Sequence, residues 1–289
     1  MTRLLALLLT IVVQVPVLVR DKSGNAVSNL TQEDFTILED KVPQQISSFK
    51  HEDVPLSVGL VIDNSGSMRK KRERVSNAAV TFVRESNPDD ETFIISFDDS
   101  AHVAQEMTGS IGDLIDALDN FASRGETALF DAIDLAINKV SKQGRREFKA
   151  LLLISDGVDN RSRTRYEDVL KKLKDSNVTL FAIGLSEEDE TRGFLRTPPA
   201  KKAQEALSTL AQATGGEAFF PKSLDEVEVL CKQIARDLRN RYVLSYSSTS
   251  TKQDGMWHEV KVTVAPAKAA AAKLDIPRHR PGYFATGPR

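Results

Sequence analysis

The chain has a single cysteine, Cys231, among 289 residues. One thiol can close no intrachain disulfide, so stability has to come from burial. Cys231 lies with Val227, Leu230 and Ile234 at helical spacing, which predicts a buried, unreactive thiol. Histidine is almost as scarce. His51, His102, His258 and His279 are scattered, and no two stand at the spacing of zinc ligands, which argues against a zinc site. An excess of either charge is missing too. Thirty-nine basic and 41 acidic residues leave a formal charge of -2, which gives no electrostatic case for nucleic acid. The basic run Arg69-Lys70-Lys71-Arg72-Glu73-Arg74 predicts the solvated first turns of a helix that reaches Val83. Internal repeats are absent, and long apolar runs are nearly so.

The one such run, Leu4 to Val13, follows Arg3 and has the length of an export-signal core. It is shorter than the roughly 20 apolar residues of a membrane-spanning helix. No small-x-small cleavage site follows. Val13, Val15, Val17 and Val19 alternate with other residues and predict a strand that begins almost at once. Export to the periplasm, cell surface or medium is the expectation, with an uncleaved anchor, a misassigned start or a cytoplasmic protein as alternatives.

What the chain has is a change of periodicity. Residues 13–53 read as a small β segment: the valine strand, a turn at Asp21–Asn25, a Thr31/Asp34 capping box, and strands at 35–39 and 45–49. So short a segment cannot bury a core alone. Residues 54–240 alternate short apolar strands with helical stretches. The strands Val58–Ile62, Thr92–Phe97, Leu151–Ile154 and Thr179–Gly184 are apolar on both faces, as central parallel strands are. A hairpin turn at Asp98-Asp99-Ser100 predicts one antiparallel edge strand at 101–104, and Ala218–Phe220 a last core strand. Helices are expected at 69–85, 111–121, 129–141, 166–176, 201–214 and 224–240, with a long polar loop from Ser186 to Pro199. Residues 241–289 return to alternating strands, joined by an alanine-rich bridge at 267–272. The expected fold is α/β: a doubly wound, mostly parallel sheet, with a small β-sandwich built from both chain ends. Residues 1–12 would form the signal or anchor segment.

Two strand ends carry the chemistry. Leu60-Val61-Ile62-Asp63-Asn64-Ser65-Gly66-Ser67 runs an apolar strand into a turn with one carboxylate and two hydroxyls at alternate positions. Gly66 allows a sharp bend between the serines. Thr127 adds a hydroxyl in the loop ahead of the helix from Leu129. Asp156 ends the second apolar strand, Ala150–Ser155. Open parallel sheets bind ligands at this edge, and an all-oxygen set suits a hard cation. Singly, each residue has a plainer reading: Asp63 and Asp156 as helix caps, Ser65 and Ser67 as turn formers, Thr127 as an N-cap. Their order and placement together favour the site.

With these residues the chain resembles the von Willebrand factor type A family over about residues 55–240, and a bacterial subgroup of it at the flanks. The flanking residues are Leu30-Thr31-Gln32-Glu33-Asp34-Phe35 with Glu39-Asp40, and Pro281-Gly282-Tyr283-Phe284. The resemblance implies a metal-ion-dependent adhesion site at Asp63, Ser65, Ser67, Thr127 and Asp156. It would hold Mg²⁺, or Mn²⁺ or Ca²⁺, with one position open to an Asp or Glu of a protein partner. No nucleic acid and no small-molecule substrate is expected. Asp131 and Asp159 are candidates for supporting the ligands. The rival reading is a Mg²⁺-dependent hydrolase or phosphatase with Asp63 as nucleophile. Against it, no second acid stands two residues after Asp63, and no His, Cys or Lys follows either strand end to move a proton. The expectation is a binding module, not an enzyme.

Overall fold

The computed structural model describes residues 11–51, 53–119, 123–156, 158–185, 198–250 and 255–285. The signal-like stretch at 1–10 and the loop at 186–197 lie outside the described residues. Four strands open the chain: β1 (Val12–Leu18), β2 (Phe35–Glu39), β3 (Val42–Gln44) and β4 (Ile46–His51). Then come β5 (Leu56–Asp63), α1 (Arg72–Glu85), β6 (Glu91–Phe97), β7 (Ala101–Thr108), α2 (Ile111–Asp119), α3 (Leu129–Gln143), β8 (Phe148–Ser155) and α4 (Tyr166–Asp175). They are followed by β9 (Val178–Gly184), α5 (Pro198–Gln212), β10 (Ala218–Phe219) and α6 (Asp225–Arg239). The chain closes with β11 (Tyr242–Ser247), β12 (Trp257–Val264), α7 (Pro266–Ala271), β13 (Arg278–His279) and β14 (Gly282–Phe284). Among the described residues, no helix is long and apolar enough to cross a membrane.

Two compact units result, one from both chain ends and one from Asp53–Arg239. The larger unit is a six-stranded sheet in the order β10-β9-β8-β5-β6-β7. Every pair is parallel except β6–β7. All eight residues of β5 are buried, as its unbroken apolar run requires. One face is covered by α1, α2 and α6 through Phe82, Leu118 and Ile234, the other by α3, α4 and α5 through Ile133, Leu173 and Leu210. Each such side chain contributes about 1.5–3 kcal/mol on burial. A Cβ at Gly59 would lie 2.4 Å from the Phe93 ring and 2.6 Å from a Leu151 methyl, so any larger residue there displaces these core side chains.

The smaller unit is two four-stranded sheets, β13-β1-β11-β4 and β14-β12-β2-β3. All the pairings within them are antiparallel. Each sheet mixes strands from both ends, so neither end has a complete sheet without the other. The alternation in β1 turns Val13, Val15 and Val17 onto the inner face, where they meet Tyr242, Leu244 and Val262. Tyr242 donates its hydroxyl to the Val27 carbonyl at 2.7 Å and packs on Phe35 and Phe49.

The structure departs from the sequence reading in places. Lys71 is 4% exposed, so the basic run is not wholly solvated. Helix α5 begins at Pro198, three residues before its expected start. The alanine bridge contains α7, favoured by alanine's helix propensity and by Pro266 in its first turn. Strand β10 is two residues long and stands at the sheet edge. Strand β7 runs four residues further than its expected end.

Candidate metal centre

Strands β5 and β8 are parallel neighbours, with Ile62 opposite Ile154. Their last residues therefore emerge side by side. Asp63, 3% exposed, ends β5, and Asp156 follows β8 directly. Ser65 and Ser67 lie in the turn after Asp63, where a single 3-10 turn spans Gly66–Met68. The Ser65 backbone N–H donates to Asp63 Oδ1 at 2.9 Å, which folds the turn back onto the carboxylate. The Ser65 and Ser67 hydroxyls are 3.0 Å apart. Ser67 donates to Asp156 Oδ2 at 2.5 Å, and Ser155 donates to Asp63 Oδ2 at 2.6 Å. Four of the five expected residues thus form one chain of contacts.

Thr127 comes from a third loop, which is bound to the first by the Gly66 N–H donating to the Gly125 carbonyl at 3.0 Å. Its backbone N–H donates to Asn160 Oδ1 at 2.8 Å, and its carbonyl accepts from the N–H groups of Asn160 and Arg161. The residue is 4% exposed, so its hydroxyl is held in a buried loop. Asp99 holds the same loop through the Glu126 N–H at 2.9 Å, and the Asp98 carbonyl accepts from Ala128.

Asp131 and Asp159 act on the scaffold. Helix α3 starts after Ala128, which has no side chain to cap it. Asp159 supplies the cap from 30 residues downstream, accepting the Leu129 N–H at 2.9 Å and the Ser162 hydroxyl. Asp131 accepts the Arg163 and Thr164 N–H groups, and those bonds hold its carboxyl below the usual carboxylate range against the opposing effect of partial burial. Together they fix the 158–164 loop to the start of α3. The sequence reading passes over Ser155, Asn160 and Asp99; nothing local marks them, because each acts on a residue far along the chain.

The electrostatics follow from this packing. Burial, and then the neighbouring Asp156 carboxylate, push Asp63 up from 3.8 to about 6, against the opposing hydrogen bonds from Ser155 and Ser65. The Asp63 and Asp156 carboxylates are linked by the hydroxyls of Ser65, Ser67 and Ser155, with no basic side chain in ion-pair contact with either, among the described residues. A hard cation suits such a donor set, since it would supply the missing positive charge and use oxygens alone. Cys231 fits its expected part: it is fully buried, and burial first, then Glu228, pushes its thiol to about 12.

A second polar cluster lies in the smaller unit. Glu39, Asp40 and His258 bring ligand atoms within 4.8 Å of one another.

Several solved structures resemble this fold at low sequence identity. A von Willebrand factor type A protein from Catenulispora acidiphila aligns with a TM-score of 0.54 and 11% identity, over 80% of this chain and 69% of its own. The vWF domain of the type V pili tip protein Mfa5 from Porphyromonas gingivalis gives 0.51 and 14%, over 64% and 95%. The pilus adhesin SpaC from Lactobacillus rhamnosus GG gives 0.54 and 12%, over 87% and 47%. At these identities the likeness concerns the fold. The sequence profile of the von Willebrand factor type A domain matches residues 57–233, more than half of the chain, and the protein belongs to that family.

Proposed function

We propose that the protein is a metal-ion-dependent binding module, in which Asp63, Ser65, Ser67, Thr127 and Asp156 hold one Mg²⁺, with Mn²⁺ or Ca²⁺ as substitutes. The observation that carries this reading is the buried Asp63 carboxylate beside Asp156, linked through serine hydroxyls at the carboxyl edge of the sheet. Such an ion supplies a positive charge with a free position for one further oxygen. Ser67 and Val158, both bonded to the Asp156 carboxylate, are exposed, so a partner's side chain can reach this edge. A partner's Asp or Glu matches it. Domains of this family commonly serve interaction and adhesion, and pilus proteins are among the similar structures. Residues 54–240 form the binding domain in this reading. Residues 13–53 and 241–289 form its companion, and 1–12 a signal or anchor segment that directs the protein beyond the cytoplasm.

Calorimetric titration of chelator-treated protein tests the site. One equivalent of Mg²⁺ or Mn²⁺ is expected, and Asp63→Ala or Asp156→Ala should remove it. Unchanged binding in both variants sinks the assignment. Metal-dependent hydrolysis of a phosphoester, lost in Asp63→Asn, would instead establish the enzyme with Asp63 as nucleophile.

A further inference from the structure

The turn between β2 and β3 sets Asp40 and Lys41 at positive φ, 48° and 69°, and carries Asp40 across to β12. There Asp40 exchanges bonds with Glu259: its N–H donates to the Glu259 carbonyl, and its Oδ1 accepts the Glu259 N–H, both at 2.9 Å. Its other oxygen, Oδ2, is 2.8 Å from His258 Nδ1. Glu39, the last residue of β2, is 2% exposed, and its Oε1 lies 3.7 Å from the same nitrogen.

Glu39 is a buried anion with an unusual set of neighbours. Tyr246 and Tyr283 donate hydroxyls to Oε2 at 2.6 and 3.1 Å, and Ser248 donates to Oε1 at 2.6 Å. Among the described residues, no Lys or Arg lies within ion-pair distance of it, and His258 is the one basic side chain that does. Two carboxylates therefore share one imidazole. Of the two, Glu39 is buried and Asp40 is half-exposed, so one carboxylate approaches the imidazole from the interior and the other from the solvent side. Oε1 accepts a single hydrogen bond and keeps a lone pair in reserve. The three hydroxyls hold the carboxylate as outer partners hold a metal-ligating one. His258, 5% exposed, is kept in place by stacking on Tyr283 at 5.6 Å.

We propose that Glu39, Asp40 and His258 form a cation site that takes one divalent ion of the zinc class. A nitrogen with two carboxylate oxygens suits zinc or cobalt better than magnesium. Ligands at about 2.0–2.2 Å from such an ion stand roughly 3–4 Å apart. The ligand atoms now lie within 4.8 Å of one another, so the widest pair closes by about an ångström while the 2.8 Å pair of Nδ1 and Asp40 Oδ2 opens slightly. On binding, the Nδ1 lone pair becomes the third ligand, and any proton on that nitrogen is released to solvent. Asp40, 49% exposed at its side chain, is the route of entry. Histidine spacing does not mark this site, because Asp40 and His258 are 218 residues apart in the chain. The proposal is independent of the Asp63 reading.

Tag-free full-length Asp63→Ala protein, which lacks the first site, should be titrated with Zn²⁺ by calorimetry and with Co²⁺ by visible absorption. One equivalent of each is expected, with cobalt bands showing nitrogen ligation and no competition from millimolar Mg²⁺. Asp40→Asn should weaken Zn²⁺ at least tenfold while leaving the circular dichroism unchanged. His258→Gln should abolish binding. Absence of Zn²⁺ and Co²⁺ binding, or affinity unaltered by Asp40→Asn, overturns the proposal even if His258→Gln fails to fold.

Discussion

The two ends of the central sheet bury carboxylates in opposite ways. At the amino-terminal end, Glu91 begins β6 and is 6% exposed. Its Oε1 accepts the Ser57 hydroxyl at 2.7 Å and the Arg145 N–H at 2.5 Å, and its Oε2 accepts the Arg145 guanidinium at 3.2 Å. Burial acts to raise its pKa, yet the Ser57 and Arg145 bonds outweigh it and hold the group below its ordinary 4.5. At the carboxyl end, Asp63 has hydrogen bonds but also a second acid for a neighbour, and it rises to about 6. Similar hydroxyl donors serve both ends. The difference is the source of positive charge: Arg145 at one end, and at the other nothing among the described residues. One end is complete as built. In the proposed reading, a cation completes the other.

The largest expected effect tests the complete end. Glu91→Ala leaves the Ser57 hydroxyl and the Arg145 N–H without their acceptor, a loss of about 3–4 kcal/mol. Chemical denaturation should show this loss equally with Mg²⁺ and with chelator. A Glu91→Ala protein whose defect Mg²⁺ repaired would erase the distinction between the ends.

The next effect concerns pH, and the two carboxylates pull in opposite directions. Asp63 has its folded value raised from 3.8 to about 6 in metal-free protein, so the folded state holds this proton more tightly than the unfolded state. Stability from this group is full below pH 3.8 and is lost as pH rises to about 6. The loss is on the order of 2–3 kcal/mol, since each tenfold gain in proton affinity is worth about 1.4 kcal/mol. Glu91 has the opposite sign: its contribution is present above 4.5 and disappears as pH falls below it. Asp63→Asn should therefore be more stable than the parent protein at pH 7 in chelator, and about equal to it near pH 4. Excess Mg²⁺ should reverse the order at pH 7, because only the parent binds it. A parent protein more stable than Asp63→Asn in chelator at pH 7 contradicts the raised Asp63 value.

Much of this is legible in the sequence, for physical reasons that particular residues show. Strands β5, β6, β8 and β9 are readable because both of their faces are apolar, and Asp63 and Asp156 because each ends such a run. The valine alternation of β1 marks its buried face in the same way. Strand β3 gives no signal: it has three residues, one of them Pro43, and only Gln44 is buried. Lys71 looks like its exposed neighbours, since a basic run has no mark for the one side chain that turns inward. Ser155 and Glu91 are hidden for another reason. Their partners, Asp63 and Arg145, are 92 and 54 residues away, and only the folded sheet brings them together. Glu39, Asp40 and His258 are the extreme case, assembled from both ends of the chain.

The smallest effect separates scaffold from ligand at the carboxyl end. Asp159 belongs to the loop after β8, yet it caps α3 and so holds the Thr127 loop against its neighbour. Removing the carboxylate in Asp159→Ala frees the Leu129 N–H and the Ser162 hydroxyl, at a cost of about 1 kcal/mol, the usual value of an N-cap. Metal affinity should fall too, by a few-fold rather than completely, because Thr127 loses support while all five ligand oxygens remain. Thr127→Ala is the control. It deletes one oxygen and leaves the cap, so Mg²⁺ affinity should fall by more than in Asp159→Ala while denaturation midpoints stay within error. If Asp159→Ala abolished Mg²⁺ binding with no loss of stability, Asp159 would be a ligand rather than a support, and the assignment of Thr127 to the coordination sphere would have to be redrawn around it.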